Sequence, residues 1–218
     1  IISLSGFALA LSLLVVLFLG YRGHGGWALA ALPPLALILA LLSRVGGRDL
    51  VWPVLGLFWL GLPCLALLWL RLGDSGLLAV SWLFLAVWCC DTGAYFAGRG
   101  IGGPKLAPRI SPKKTWSGLL GGMLLAAIAS ALLAMAAGQT GMALFALLGA
   151  LLALISQAGD LAESAVKRHF DVKDSGALIP GHGGILDRVD GILFAAPTLA
   201  LITLASMLMP NLKVLPWL

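Results

Sequence analysis

Seven long apolar segments constrain the fold of this chain more than any other feature. Hydrophobic residues make up 61% of its 218 residues and charged residues only 11%, and the mean hydropathy is +1.04. Soluble domains carry about 25% charged residues, so a soluble fold is excluded. A helix that spans a bilayer needs about 20 mainly apolar residues. The segments close to that length are Ile1–Leu19, Trp27–Ser43, Leu50–Leu70, Gly76–Ala97, Gly118–Gly138, Met142–Ala158 and Gly191–Met209.

These segments predict an all-α fold, a polytopic membrane helical bundle with about seven transmembrane helices. Backbone groups in lipid must be paired within their own segment, and the segments show no strand-like alternation, so helices are the expected spanning elements. We expect residues 1–218 to form a single integral membrane domain, with scaffold helices in 1–75 and catalytic helices and loops in 76–218. The pair Gly118 and Gly122 predicts a close helix contact.

The start of the chain and its cysteines carry little functional information. The chain begins at Ile1 rather than at Met, so we expect it to be part of a longer protein in which further helices can precede it. The first segment lacks the basic region and the small-residue cleavage site of a signal peptide. The three cysteines lie in apolar stretches without metal-ligand spacing, and we expect them to be small buried hydrophobic residues. They are Cys64, Cys89 and Cys90.

The basic residues predict the orientation in the membrane. When the loops are assigned alternately to the two sides, all but three of the 14 Lys and Arg residues fall on one side, which is therefore predicted to be cytoplasmic. The exceptions are Arg22, Arg71 and Lys213. Two polar loops, about 98–117 and 167–190, share the cytoplasmic face with most of the carboxylates. This excess of positive charge favours phospholipid or nucleotide as partners, and we expect no nucleic-acid partner.

An acidic cluster is predicted at the cytoplasmic ends of the sixth and seventh helices. Asp160, Glu163, Ser164 and Lys167 share one helix face, because they are spaced at i, i+3, i+4 and i+7. We expect the sixth helix to continue to Arg168. The alternative to a metal site here is ion pairing, of Glu163 with Lys167 and of Asp187 with Arg188 or Lys173.

The seventh helix contributes a second pair of acids. Asp187 and Asp190 are expected to open that helix and to meet the first pair. Neighbouring carboxylates repel each other unless a cation lies between them, and oxygen ligands suit Mg²⁺, which also binds substrate phosphates. We therefore predict Asp160 and Asp187 as the metal ligands.

Both polar loops also carry groups that can bind phosphate. Basic side chains neutralise phosphate oxygens, glycines let a backbone approach a ligand, and the start of a helix favours anions. Lys113 and Lys114 are alternatively only topology signals, and His182 alternatively only a turn residue. Asp91 lies near the membrane boundary, where a carboxylate without a role is unfavourable. The substrate-binding candidates are Asp91, Ser111, Lys113, Lys114, Thr115, Ser164, Gly183 and Gly184.

The longest of these patterns resembles a known signature. The run Ser164-x-Val166-Lys167-Arg168-x4-Lys173-Asp174-x-Gly176-x2-Ile179-Pro180-x-His182-Gly183-Gly184-Ile185-x-Asp187-Arg188-Val189-Asp190 is similar to that of the phosphatidate cytidylyltransferases, also called CDP-diacylglycerol synthases. The stretches Asp91-Thr92-Gly93-Ala94-Tyr95 and Ser111-Pro112-Lys113-Lys114-Thr115 resemble other segments of the same family. One position departs from the family pattern, because Ser117 stands where members commonly have Glu.

The resemblance implies a reaction and its requirements. CTP and phosphatidic acid would give CDP-diacylglycerol and pyrophosphate in phospholipid biosynthesis, with Mg²⁺ and room for a second cation. It also implies a homodimer with a polar cavity that faces the cytoplasm and holds the active site. The distribution of basic residues predicts that the bilayer is the cell inner membrane. The catalytic residues expected from the matching positions are Lys167, Arg168, Lys173, Asp174, His182, Arg188 and Asp190.

Three other functions remain open from the sequence. A CTP-dependent lipid kinase would use a similar cytoplasmic site but release CDP instead of pyrophosphate. A CDP-alcohol phosphotransferase is disfavoured, because its Asp-Gly-x2-Ala-Arg pattern is absent from the sequence. A transporter would place acids near the middle of several helices, whereas here the charges gather at one face.

Overall fold

The fold is almost entirely helical. A computed structural model describes residues 4–47, 49–176 and 184–208 of the chain. Each helix in these residues is long and apolar enough to cross a membrane, so the predicted all-α, polytopic membrane bundle with about seven spanning helices is confirmed. The elements are α1 (Leu4–Tyr21), α2 (Gly25–Val45), α3 (Val51–Leu72), α4 (Gly76–Gly100), β1 (Lys105–Ala107), β2 (Ser111–Thr115), α5 (Trp116–Ala136), α6 (Met142–His169) and α7 (Leu186–Leu208).

The helix ends extend the polar region beyond the apolar segments. The sixth helix continues past Asp160 to His169, as the spacing of its polar residues predicts. The seventh begins at Leu186, five residues before the apolar segment, so Asp187 and Asp190 lie at its start as expected. Two polar helix ends therefore carry the acidic residues.

The chain divides into two compact units, Ile1–Gly73 and Asp74–Leu218. In the first unit α1, α2 and α3 pack around a core of aliphatic side chains that includes Val16, Leu39 and Leu57. This unit carries none of the predicted site residues. The description of residues 1–218 as a single domain stays a prediction.

In the second unit α4 and α5 approach each other so closely that glycine is required at the contact. A Cβ atom on Gly122 would lie 2.7 Å from the carbonyl oxygen of Cys90, and one on Gly118 would lie 3.0 Å from that of Ala94. The close contact predicted from Gly118 and Gly122 is therefore confirmed. Cys90 itself is fully buried against Ala126 and Ala153, and all three cysteines are free thiols.

A buried polar pair also joins helices of the second unit. The indole Nε1 of Trp82 on α4 donates to Ser130 Oγ on α5 at 2.9 Å, and both residues are fully buried. The Trp82 ring packs on Phe145 of α6 with 5.2 Å between centroids. Since a buried N–H group without a partner is costly, this contact fixes the relative position of the two helices.

We expect Gly122→Val to destabilise the second unit, because its side chain would overlap the backbone of α4. Overpacking of this kind costs about 1–3 kcal/mol, which lowers the melting temperature by several degrees. A thermal shift measurement in detergent micelles checks this. Gly100→Ala is the matched control, since a Cβ at Gly100 meets no atom within 4 Å, and an equal loss in both variants would contradict the close contact.

Candidate active site

A short antiparallel ribbon presents the basic residues of the loop between α4 and α5. Lys105 on β1 is opposite Thr115 on β2, and the Trp116 N–H donates to the carbonyl oxygen of Pro104 at 3.1 Å. Thr115 then caps α5, because its Oγ1 accepts the Gly118 N–H at 3.1 Å. The sequence predicted only a polar loop here, since these short strands lack an apolar alternation.

Ser117, the position that departs from the family pattern, has a structural role in this ribbon. Its hydroxyl donates to the carbonyl oxygen of Gly102 and lies 3.0 Å from Thr115 Oγ1. It therefore ties the turn before β1 to the first turn of α5. A glutamate side chain cannot donate this hydrogen bond.

The ribbon, α4, α5 and α6 line an open cavity of about 680 Å³. Basic and acidic side chains line it together, which suits a ligand that carries phosphate groups. Of the predicted site residues, Asp91, Lys113, Lys114, Thr115 and Asp160 lie on its wall. The other lining residues are Ala94, Tyr95, Gly98, Arg99, Lys105, Pro112, Gly118, Leu119 and Gln157.

Lys114 provides the countercharge in this cavity. Its Nζ lies 2.6 Å from Asp160 Oδ2 and donates to the backbone carbonyl of Gln157 at 3.4 Å. The Gln157 side chain donates in turn to Asp91 Oδ1 at 3.2 Å, and Ser164 Oγ donates to Asp160 Oδ1 at 3.3 Å. The strand β2 and the helices α4 and α6 are thus joined by one polar chain.

Asp187 is held by donors from two directions. Its Oδ1 lies 2.7 Å from Lys167 Nζ. Its Oδ2 accepts the Ser175 N–H at 2.9 Å, the Ser175 hydroxyl at 2.8 Å and the Gly184 N–H at 2.9 Å. Among the described residues, Lys167 is therefore the ion-pair partner that the structure shows for Asp187, whereas the sequence offered Arg188 or Lys173 as alternatives.

Glu163 is the most deeply buried acid of the cluster. It is 2% exposed, and neither of its carboxylate oxygens accepts a hydrogen bond from the described residues. Its nearest countercharge is Lys167, whose Nζ lies 3.4 Å from Glu163 Oε1. The expected pairing of Glu163 with Lys167 is thus confirmed, and one lysine is shared between acids on α6 and α7.

Acids of three helices interact electrostatically at this end of the second unit. Asp91 on α4 and Asp190 on α7 both interact with Asp160 on α6, and Asp190 also interacts with Glu163. Like charges in one site repel each other unless a cation lies between them. Asp190 therefore lies near the α6 acids, while a joint metal site of Asp160 and Asp187 stays a prediction.

The remaining predicted residues lie away from the cavity wall or outside the described residues. Ser111 begins β2 without lining the cavity, and Gly184 contacts Asp187. Arg168, Lys173, Asp174 and Arg188 are exposed near the facing ends of α6 and α7. His182 and Gly183 lie outside the described residues.

Four cavity residues escaped the sequence reasoning as site candidates. Tyr95 and Arg99 continue the α4 face that begins at Asp91, since they follow it by four and eight residues. Gln157 precedes Asp160 by three residues on α6, and Lys105 lies opposite Thr115. Helical spacing from Asp91 and Asp160 could have identified the first three, whereas Lys105 depends on the ribbon.

Asp160 and Asp187, the predicted Mg²⁺ ligands, carry the hard oxygen atoms that this ion prefers. In the structure each carboxylate is paired with a lysine ammonium. The Oδ1 atom of each carboxylate has a single donor among the described residues. This donor is Ser164 Oγ for Asp160 and Lys167 Nζ for Asp187. Within the described residues no group of three or more His, Cys, Asp or Glu side chains is arranged to hold a metal. Substrate phosphates would then have to supply further ligands.

Comparison with known proteins places the chain in a family. The model of the cytidylyltransferase family matches residues 2–206, and the chain belongs to this family. The resemblance drawn from the signature and from the two shorter stretches is therefore confirmed.

Several curated relatives share the name phosphatidate cytidylyltransferase. The one from Brucella suis is 52% identical over 170 residues, which cover 75% of this chain and 60% of the relative. The one from Bacillus subtilis is 45% identical over 130 residues, or 59% and 48% of the two chains. The one from Staphylococcus saprophyticus is 37% identical over 209 residues, or 91% and 78%. The chain spans about 60% of the length of the Brucella relatives it matches.

We expect Lys167→Met to destabilise the fold, because it leaves both Glu163 and Asp187 without a countercharge. Removing one partner of a buried ion pair costs about 3–5 kcal/mol. The loss should be smaller in a Glu163→Gln background, where one of the two unpaired charges is absent. Thermal unfolding of the wild type, both single variants and the double variant in detergent checks this coupling. Strict additivity would show that Lys167 does not neutralise Glu163.

Proposed function

We propose that this chain transfers a cytidylyl group from CTP to phosphatidic acid, giving CDP-diacylglycerol and pyrophosphate. The observation that carries the proposal is the cavity, where four basic side chains face two acids at one end of the membrane helices. Membership of the cytidylyltransferase family and the names of the curated relatives support the same reaction.

The reaction needs no nucleophile from the protein. The phosphate of phosphatidic acid has a second pKa of about 6, as other phosphate monoesters do, so it is mostly dianionic at neutral pH. One of its oxygens attacks the α-phosphorus of CTP, and the bond from that phosphorus to the bridging oxygen breaks to release pyrophosphate. The barrier lies in bringing two anions together, so catalysis consists of positioning and charge stabilisation.

The basic residues of the cavity would supply that stabilisation. Three lysines of the ribbon line the cavity, namely Lys105, Lys113 and Lys114. Thr115 lies on the same wall, Ser111 begins its strand, and the start of α5 favours an anion. We propose that these groups bind the phosphates of the nucleotide or the lipid.

Asp160 and Asp187 would hold Mg²⁺, with room for a second cation. When bound, the metal neutralises charge that develops on the phosphate oxygens. Lys114 and Lys167 occupy these carboxylates in the structure. We propose that both lysines move to substrate phosphate when a metal takes over the carboxylates, with Ser164 continuing to orient Asp160.

The ends of α6 and α7 would complete the site. Arg168, Lys173 and Arg188 are proposed to bind the departing pyrophosphate, with Arg able to form two parallel hydrogen bonds. Asp174, Asp190 and His182 are proposed to hold these groups or to contact substrate, and Gly183 and Gly184 to let the backbone approach it.

The location of the site is part of the proposal. Seven apolar helices make the chain an integral membrane protein. The distribution of basic residues supports placement in the cell inner membrane with the cavity facing the cytoplasm. A lipid substrate could then enter from the bilayer and CTP from the cytosol, and the protein is proposed to act as a homodimer.

Product identity tests the proposed reaction. The protein in detergent micelles receives phosphatidic acid, Mg²⁺ and CTP labelled at the α-phosphorus, and the label is expected to enter the lipid phase with release of pyrophosphate. Chelation of the metal should stop the transfer. Label that stays in the aqueous phase as CDP while the lipid gains phosphate would instead establish the kinase reaction.

We expect Asp160→Asn and Asp187→Asn each to lower kcat by about 10²–10³, the cost of losing one electrostatic stabiliser. The two variants should differ in stability. Asp187 accepts hydrogen bonds from Ser175 and Gly184, so Asp187→Asn should also lower the melting temperature. Asp160 makes no such backbone contact in the described residues but pairs with Lys114, so Asp160→Asn should lower the melting temperature less than Asp187→Asn.

Asp171→Asn is the matched control for these variants, because Asp171 is an exposed acid after α6 that does not line the cavity. It should keep wild-type turnover. Near-normal turnover of Asp160→Asn at saturating Mg²⁺ would remove that residue from the metal site.

A further inference from the structure

The cavity contains an aromatic side chain to which neither the sequence signature nor the metal site gives a role. Tyr95 lies on its wall and is 55% exposed. The guanidinium carbon of Arg99 lies 5.3 Å from the centre of the Tyr95 ring, and Arg99 Nη1 donates to the Tyr95 hydroxyl. The ring is thus held in place by the next turn of its own helix while much of it remains open.

The geometry of α4 sets the positions of Tyr95 and Arg99 relative to Asp91. Helices rise about 1.5 Å per residue, so Tyr95 is one turn and Arg99 two turns beyond Asp91 on the face of α4 that lines the cavity. Asp91 is linked through Gln157 to the Lys114–Asp160 pair. Because Tyr95 lines the same cavity as that pair, its ring is available to the base of a nucleotide whose phosphates bind there.

The chemistry of the two side chains suits one kind of base. Nucleobases stack on exposed aromatic rings irrespective of their identity. An arginine fork carries only donors, which match the adjacent acceptors O2 and N3 of cytosine. Uracil presents an N3–H donor at the second position, which would oppose an arginine N–H.

Resting on the proposed function, we propose that Tyr95 and Arg99 form the nucleobase subsite, in which the base stacks on Tyr95 and Arg99 selects cytosine through O2 and N3. One N–H of Arg99 already donates to the Tyr95 hydroxyl, which fixes the orientation of the fork. The Tyr95 hydroxyl is therefore a positioning group for Arg99, and the ring itself contacts the base.

A different role would apply if Tyr95 only anchored the helix at the membrane surface, where tyrosine is common. Its neighbour Phe96 separates the two roles. Phe96 is 68% exposed and contacts the Tyr95 ring edge-on, but it does not line the cavity. If the rings served as a membrane anchor, both Tyr95 and Phe96 would contribute. If the role is stacking of the nucleobase, only Tyr95 contributes.

The test is nucleotide selectivity, measured as the ratio of kcat/KM for CTP to that for UTP with phosphatidic acid fixed. We expect Arg99→Lys to lower this ratio tenfold or more, because an ammonium cannot donate to both acceptors in the fixed geometry of the fork. Tyr95→Leu should raise KM for both nucleotides by about tenfold, as expected for the loss of one stacking contact, with KM for phosphatidic acid unchanged. Tyr95→Phe should keep the KM and lose part of the selectivity.

Two controls are matched to these variants. Arg109→Lys changes an exposed arginine of the turn between β1 and β2 that does not line the cavity, and Phe96→Leu removes the neighbouring ring. Both should keep the wild-type ratio and the wild-type KM for CTP.

Equilibrium binding of CTP and of UTP without phosphatidic acid, in the same variants, gives a readout that does not depend on turnover. If the variants lose the preference for CTP over UTP in this binding measurement, the subsite is supported. Absence of cytidylyl transfer by the wild type would count against the proposed function but not against the subsite. An Arg99→Lys variant that weakens CTP and UTP equally would make Arg99 a phosphate ligand and overturn the proposal. A Tyr95→Leu variant that changes only KM for phosphatidic acid would overturn it as well.

Discussion

The pairing of lysines with carboxylates at the polar helix ends is the interaction on which the site depends. Lys167 lies between Glu163 and Asp187, and Lys114 binds Asp160. Two of these pairs join separate elements, since Lys167–Asp187 links α6 to α7 and Lys114–Asp160 links β2 to α6. Because a charge at the edge of an apolar bundle is costly without a partner, these pairs hold the ribbon and both helix ends at one place.

The same pairs balance the carboxylates in the structure. Under the proposed function, Asp160 and Asp187 would hold a metal ion and their lysines would bind substrate phosphate. Asp187 has more partners than Asp160, since its Oδ2 also accepts hydrogen bonds from Ser175 and Gly184. It therefore connects the chain after α6 to the start of α7 in addition to any role in catalysis.

The close packing of α4 against α5 at glycine residues is the second feature on which the site depends. The carbonyl oxygens of Cys90 and Ala94 lie against Gly122 and Gly118, so α4 and α5 meet with almost no side chain between them. This contact fixes the α4 face that carries Asp91, Tyr95 and Arg99 relative to the ribbon that leads into α5. The width of the cavity follows from the backbone distance as much as from the side chains that line it.

The sequence by itself determined the class of fold and the chemical inventory of the site. The length of the apolar segments requires membrane-spanning helices, because backbone N–H and C=O groups in lipid must form their hydrogen bonds within the segment. The spacing of Asp160 and Glu163 placed both acids on one face of α6. Tertiary structure alone decided the partners. That Lys167 pairs with Asp187 depends on how α6 and α7 pack. That Tyr95, Arg99 and Lys105 share a cavity with Lys114 depends on the glycine contact and on a ribbon of short polar strands. Such long-range contacts leave no periodic pattern in the chain, so only the folded arrangement reveals them.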